Sequence, residues 1–283
     1  MRGQSTPPFH NLPAAYQLHY HFAFHTKYTK PRFTSNEHTD FFATHLPDVC
    51  QHNGYHLLDY RVEPEHLLCL VSLRPEHVPS DVAHRLKGTL SYRFGQWSNA
   101  KGSLWGRGYF VRSVGKVNLS VVKRYIAQQA EHHGYSGRGF VPVVRYRNPN
   151  PPTLSLPHTA FELNYHIVLV SQYRESLFDP QLARAVWQYG HRVAEVKQFV
   201  LHRVTILPDH VHLLVATTPK MGAEQCALAV MNNSWAYLTK HFWGALKVLK
   251  LWDVWQQSYY VGTVGAVTTA QVKHYLKTAA GWG

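Results

Sequence analysis

Acidic residues, cysteines and long apolar runs are all scarce in this chain of 283 residues. No apolar run reaches 18 residues, which excludes an ordinary membrane-spanning helix. The opening segment, MRGQSTPPFHNLP, has no apolar signal core, so a cytoplasmic location and no membrane partner are expected. Cys50, Cys69 and Cys226 are too few and too scattered for a disulfide framework or a zinc knuckle, and packing is the role they fit. Against 16 Asp and Glu stand 29 Lys and Arg, a net charge of +13. The excess is spread along the chain, +6 over residues 1–133, +3 over 134–158 and +4 over 159–283, rather than held in a tail. A generically basic protein would share that balance. Trp and Tyr interleaved with the basic residues make nucleic acid the better partner.

Short repeats of 20–50 residues are also missing, which excludes a solenoid. A much longer repeat is present. Tyr20-His21 recurs as Tyr165-His166 at an offset of 145. Pro64, His66 and Pro75 recur as Pro208, His210 and Pro219 at 144. Tyr109, Gly115, Lys123 and Tyr125 recur as Tyr259, Gly265, Lys273 and Tyr275 at 150. The order is kept and the offset changes only between blocks, where loops tolerate insertion. Two copies of one domain follow, residues 1–133 and 159–283. The Pro- and Gly-rich stretch 134–158 reads as an extended, semi-rigid linker. A hydrophobic content of 45% supplies two cores.

Periodicity predicts strands at 17–25, 55–63, 66–73 and 108–114 in the first copy. It predicts helices at 36–52, 80–97 and 118–133, the last capped at Asn118. The second copy repeats this, with strands at 161–170, 198–206, 210–217 and 258–264 and helices at 180–196, 222–243 and 268–280. The order β-α-β-β-α-β is that of a ferredoxin-like fold with an added C-terminal helix, so the class is α+β in two tandem domains.

Each copy carries part of a site that the other lacks. Residues 208–215 read PDHVHLLV, and residues i and i+2 of a strand share a face, so His210 and His212 project together and could bind one divalent cation. The same spacing also fits two histidines on a half-buried strand in a chain with 21 of them. The first copy reads PEHLLCLV at 64–71, with His66 kept but Leu68 where the second histidine would stand. At the other end, VVKRYIAQQ at 121–129 sets Tyr125 and Gln129 four apart, on one helical face. An amphipathic helix with an exposed Tyr and Gln has that spacing too. The matching VKHYLKTA keeps Tyr275 but has Ala279.

These pieces, with RLKG at 85–88 and LWGRGYFVRSVG at 104–115, resemble the single-tyrosine HUH transposases, the enzymes of the smallest bacterial insertion sequences and the REP-associated tyrosine transposases. The resemblance implies two tandem HUH domains forming an internal pseudo-dimer. It implies cleavage and rejoining of single-stranded DNA at hairpin-bearing ends through a 5′-phosphotyrosine. Tyr125 would be the nucleophile, and His210, His212 and Gln129 would hold Mg²⁺ or Mn²⁺. In the family's paired form the tyrosine helix of one subunit serves the histidines of the other, which accounts for the complementary losses. The reciprocal site, with His66, Leu68, Tyr275 and Ala279, is degenerate, and packing or a DNA contact is the role left to Tyr275. Lys87, Arg93, Arg107, Arg112, Lys116 and Arg124 fall within the matching motifs as candidate phosphate contacts, and Trp105 and Tyr109 as aromatics that stack on bases or pack. Two other readings share these residues: a non-catalytic, transposase-derived repressor or accessory protein, and a replication-initiator or relaxase nickase.

Overall fold

In the computed structural model, residues 7–99, 102–116, 119–127 and 143–278 are described. The first half comprises β1 (Ala14–Gln17), β2 (His19–His25), α1 (Asn36–His52), β3 (His56–Glu63), β4 (His66–Ser72), α2 (Pro79–Ser98), β5 (Tyr109–Val114) and α3 (Leu119–Ala127), followed by β6 (Val144–Arg147). The second half comprises β7 (Thr159–Ser171), α4 (Pro180–Lys197), β8 (Val200–Leu207), β9 (His210–Thr217), α5 (Ala223–His241), α6 (Trp243–Val248), β10 (Trp255–Val264) and α7 (Thr269–Thr278). Local chemistry starts the helices. Pro79 and Pro180 open α2 and α4, where a missing N–H costs nothing. The Asp179 carboxylate accepts from the N–H groups of Gln181 and Leu182 at 2.9 and 2.8 Å, capping α4.

Each half is a ferredoxin-like β-α-β-β-α-β unit with an extra helix, as the periodicity predicts. Three details differ. The first strand breaks at Leu18 into β1 and β2. The expected helix at 222–243 ends at His241 and restarts as the short α6. And the stretch read as linker contains β6, which pairs antiparallel with β8 from Val144↔Ile206 to Arg147↔Arg203, so that part of it is sheet. The expected cap Asn118, the end of the third helix beyond Ala127, Gln129 and Ala279 lie outside the described residues.

One ten-stranded sheet runs through both halves. β5 of the first half pairs in parallel with the start of β7, Tyr109↔Thr159 to Arg112↔Glu162. β1 likewise pairs in parallel with β10, Ala14↔Tyr259 to Gln17↔Gly262. Each half therefore extends the last strand of the other. The contacts between halves come in equivalent pairs. Ser113 Oγ donates to the Val264 carbonyl at 2.6 Å, and Thr263 Oγ1 to the Val114 carbonyl at 2.7 Å. The Leu119 N–H reaches the Gly265 carbonyl at 2.8 Å, and the Thr269 N–H reaches that of Gly115 at 2.9 Å. At the centre Tyr20 donates to its counterpart Tyr165, hydroxyl to hydroxyl at 3.0 Å, and burial raises both phenol pKa values. Gly265 is required by this seam, because a Cβ there would collide with the Ser113 carbonyl.

Strand alternation divides the sheet into two faces. Leu67, Cys69 and Val71 of β4, and Val211, Leu213 and Val215 of β9, join the main core. The other face is covered by exchanged helices. α7 of the second half contributes Val272 and Leu276 to a cluster with Leu68, Leu70 and Val114 of the first. α3 of the first half contributes Val122 and Ile126 to a cluster with Leu214 and Val264 of the second. Among the described residues no helix is long and apolar enough to cross a membrane.

Candidate active site

His210 and His212 lie on β9 with the parity of Leu214, so they face α3 and not the main core. Both are buried, and their ring centroids are 5.0 Å apart. α3 is anchored above them by its apolar cluster and by Thr205 Oγ1, which donates to the Ile126 carbonyl at 2.9 Å. That anchoring sets Tyr125, 39% exposed, edge-on to His212 at 6.0 Å and to His166 at 6.1 Å between centroids. A tyrosine from the first half thus stands over the histidines of the second.

Both imidazoles are oriented through Nδ1. His210 Nδ1 is 2.6 Å from Asp209 Oδ1. Burial alone would raise the Asp209 pKa, but the bond and charge of His210, with Arg174 nearby, bring it below the ordinary value. His212 Nδ1 is 3.0 Å from His166 Nε2, the two rings stacked with centroids 5.2 Å apart. Desolvation holds the His166 pKa down to about 4, so this ring is neutral and can accept the Nδ1 proton of His212. Nε2 is then the nitrogen that each imidazole offers a cation, and the pairing of a ring N–H with a carboxylate or another acceptor is the usual support of metal-binding histidines. The donor set therefore fits a small divalent ion. Among the described residues no three His, Cys, Asp or Glu side chains are grouped to hold one.

Sequence reasoning missed His166 as a functional residue and overlooked Tyr260. The repeat Tyr20-His21/Tyr165-His166 marks His166 as part of the unit, but its partner lies across strands, with Val168 opposite His212. The Tyr260 ring lies 5.8 Å from that of His166, and burial, then the Tyr125 phenol, raises its pKa.

The candidate DNA contacts separate into two groups. Arg107, Lys116 and Arg124 are exposed. Lys87 spends its ammonium on the carbonyls of Gly106, at 2.9 Å, and Gly108, and Arg93 is paired with Asp48. Trp105 is buried and donates from Nε1 to the Lys87 carbonyl at 3.0 Å, and Tyr109 is buried with its phenol pushed up to about 12 by desolvation. Lys87, Trp105 and Tyr109 hold α2 against β5 and the loop before it, Arg93 ties α2 to α1, and neither buried ring presents a face for stacking. Arg112 is partly buried.

The equivalent face of the first half places Leu68 and His21 where the second half has His212 and His166. His66 opens β4 opposite His25. His21 is 6% exposed, and burial, then the charge of Arg112, holds its pKa down to about 4. Between pH 6.5 and 4 the unfolded chain binds the proton and the folded chain does not. Stability from this group is therefore whole above about pH 6.5 and lost as pH falls through about 4, about 3 kcal/mol in all. Urea denaturation across that range should show a weaker pH dependence for His21→Gln than for the parent chain, and equal slopes would place His21 at its ordinary pKa.

Similarity to known proteins agrees with the architecture. The profile of the family described as "Transposase IS200 like" matches twice, over residues 14–129 and 159–279. The chain belongs to the IS200-like transposase family. The transposase of insertion element IS200 from Salmonella typhimurium is 32% identical over 124 residues, 44% of this chain and 80% of that protein. The ISDra2 transposase TnpA of Deinococcus radiodurans is 24% identical over 125 residues, 42% of this chain and 84% of that one. A proposed transposase from Deinococcus radiodurans R1, known from a crystal structure, is 24% identical over 44% of this chain and 96% of its own, with a TM-score of 0.37. Each of these alignments spans less than half of this chain, whereas this member of the family carries two copies of the unit. Membership assigns it a transposase role, with DNA as partner.

Proposed function

We propose that this transposase cleaves and rejoins single-stranded DNA at hairpin-bearing ends, through one active site made jointly by its two halves. The observation that carries this reading is the placement of Tyr125, on a helix of the first half, edge-on to His212 and His166 of the second. A non-catalytic repressor whose halves paired with other molecules would leave that ring away from these histidines.

Tyr125 is the nucleophile. Its oxygen forms a bond to the phosphorus of the scissile phosphodiester as the 3′ oxygen leaves with a proton, giving a 5′-phosphotyrosine and a free 3′-OH. Attack by a 3′-OH on that link restores a phosphodiester and returns the phenol, with no external energy source. Mg²⁺ or Mn²⁺, held by His210, His212 and Gln129, would polarise the phosphate and stabilise the charge developing on it. Asp209 and His166 are positioning residues, keeping the Nδ1 proton on each ring and the lone pair on Nε2. The apolar cluster of Val122, Ile126, Leu214 and Val264 fixes the distance between the tyrosine and the histidines.

A denaturing gel of labelled hairpin DNA incubated with the protein tests this directly. A covalent protein–DNA adduct that needs Mg²⁺ or Mn²⁺ and disappears in EDTA is expected, and its absence on every hairpin with both metals would overturn the reading.

Phosphate contacts by exposed residues such as Arg107, Lys116 and Arg124 make binding sensitive to salt. With about five phosphates neutralised, affinity for a single strand should drop about 100-fold between ~50 and ~200 mM salt. Fluorescence anisotropy across that range measures the slope, and a flat response would move the DNA site away from the basic surface.

A further inference from the structure

We propose that the first half's counterpart of the histidine site is a pocket for one unstacked nucleobase of the bound strand. This rests on the single-strand reading above for its source of bases. It concerns a different place, the face of the first half under α7, where Leu68 stands in place of a second histidine.

A cavity of about 520 Å³ opens there between β2, β5 and α7, within the ~300–1,000 Å³ range of small-ligand sites. Its residues are not a weakened copy of the other site. Phe110 stands where the second half has Tyr260, Arg112 where it has Gly262, and Leu68 where it has His212. With Val267 and Val272 these make the walls largely apolar.

His21 is the polar group within those walls. Nine-tenths of it or more is buried, and among the described residues neither Nδ1 nor Nε2 has a hydrogen-bond partner. The buried Nε of Arg112 has none either. Buried polar atoms left without partners cost ~1–3 kcal/mol each, so a site with three of them favours a ligand that satisfies them. A neutral imidazole presents one donor and one acceptor on opposite flanks of its ring, and His21 is held neutral by its surroundings. A nucleobase carries both donors and acceptors and can meet either nitrogen, whereas a phosphate offers acceptors alone. The Arg112 guanidinium lies over the Phe110 ring, 4.9 Å from its centroid, and such a plane is a stacking surface for a base. Gln271, exposed on α7 at the rim, adds an amide.

The experiment uses the full chain carrying Tyr125→Phe, in EDTA, so that no chemistry intervenes. Fluorescence anisotropy measures its affinity for a labelled 12-nucleotide single strand and for an abasic strand of equal length. Val267→Trp plugs the cavity from its partly exposed rim, and His21→Leu removes the polar pair; thermal melts check that both fold. Each variant should bind the base-bearing strand about 10-fold more weakly, in line with the ~1–3 kcal/mol of a stacked base, and the abasic strand with unchanged affinity. Equal losses on both strands would make this a phosphate contact, and no loss on either would make it a solvent-filled void; both results overturn the proposal. Failure of the parent chain to bind any single strand would overturn it together with the single-strand reading, while adduct formation alongside an inert pocket would overturn it alone.

Discussion

Tyr125→Phe is expected to abolish the covalent adduct and DNA cleavage, a loss of at least ~10³-fold, because the nucleophile is removed and no other group can form the same link. Binding should be unchanged. The ring is partly exposed, and α3 is held by Val122, Ile126 and the Thr205 bond, so the loss of one hydroxyl leaves the helix seated. Tyr275→Phe should form adduct at the parental rate, since Leu68 stands where its own site would need a ligand. Labelled hairpin DNA on a denaturing gel, with both single variants and the double variant, reads this out. Adduct lost in Tyr275→Phe and kept in Tyr125→Phe would reverse the assignment of halves.

The second large effect concerns the metal. His210→Ala or His212→Ala should weaken Mn²⁺ binding by ~100-fold or more, measured by calorimetry without DNA, because each removes a nitrogen that the proposed site offers the ion. His66→Ala should leave it unchanged. His166→Leu should cost ~10–100-fold, the usual effect of removing a group that orients a ligand. His166→Gln should recover part of that, since an amide oxygen can still accept from Nδ1 of His212. A residue that merely fills space would respond alike to Leu and Gln. Unaltered Mn²⁺ affinity in His212→Ala would remove the metal from this face altogether.

How much of this could be read from the chain depends on whether the signal was local. Strand parity sufficed to put His210 and His212 on one face. The complementary losses in the two copies, with the family resemblance, pointed to a tyrosine of one half serving the histidines of the other, and the Tyr125 ring does lie 6.0 Å from that of His212. His166 was harder, because its partner sits on the neighbouring strand and the Val168↔His212 register is a property of the sheet. Tyr109 was legible in principle, sharing the parity of Val111, which faces the core. Trp105 and Lys87 were not, since their places depend on how the loop before β5 folds back on α2. β6 hid in a Pro-rich stretch where four residues give too short an alternation to count.

The exchange of α3 and α7 across the seam has a consequence for dosage. Two separate copies of such a unit would have to meet, and at low abundance most would be alone. Here the meeting is intramolecular, with a local concentration on the order of millimolar that dilution cannot change. Identity between the partners then stops being a constraint. A histidine lost from a symmetric pair is lost twice and takes both sites with it, whereas Leu68 alters one surface of one copy. One gene product can therefore keep a single assembled centre at any abundance, with the other surface released for a different use.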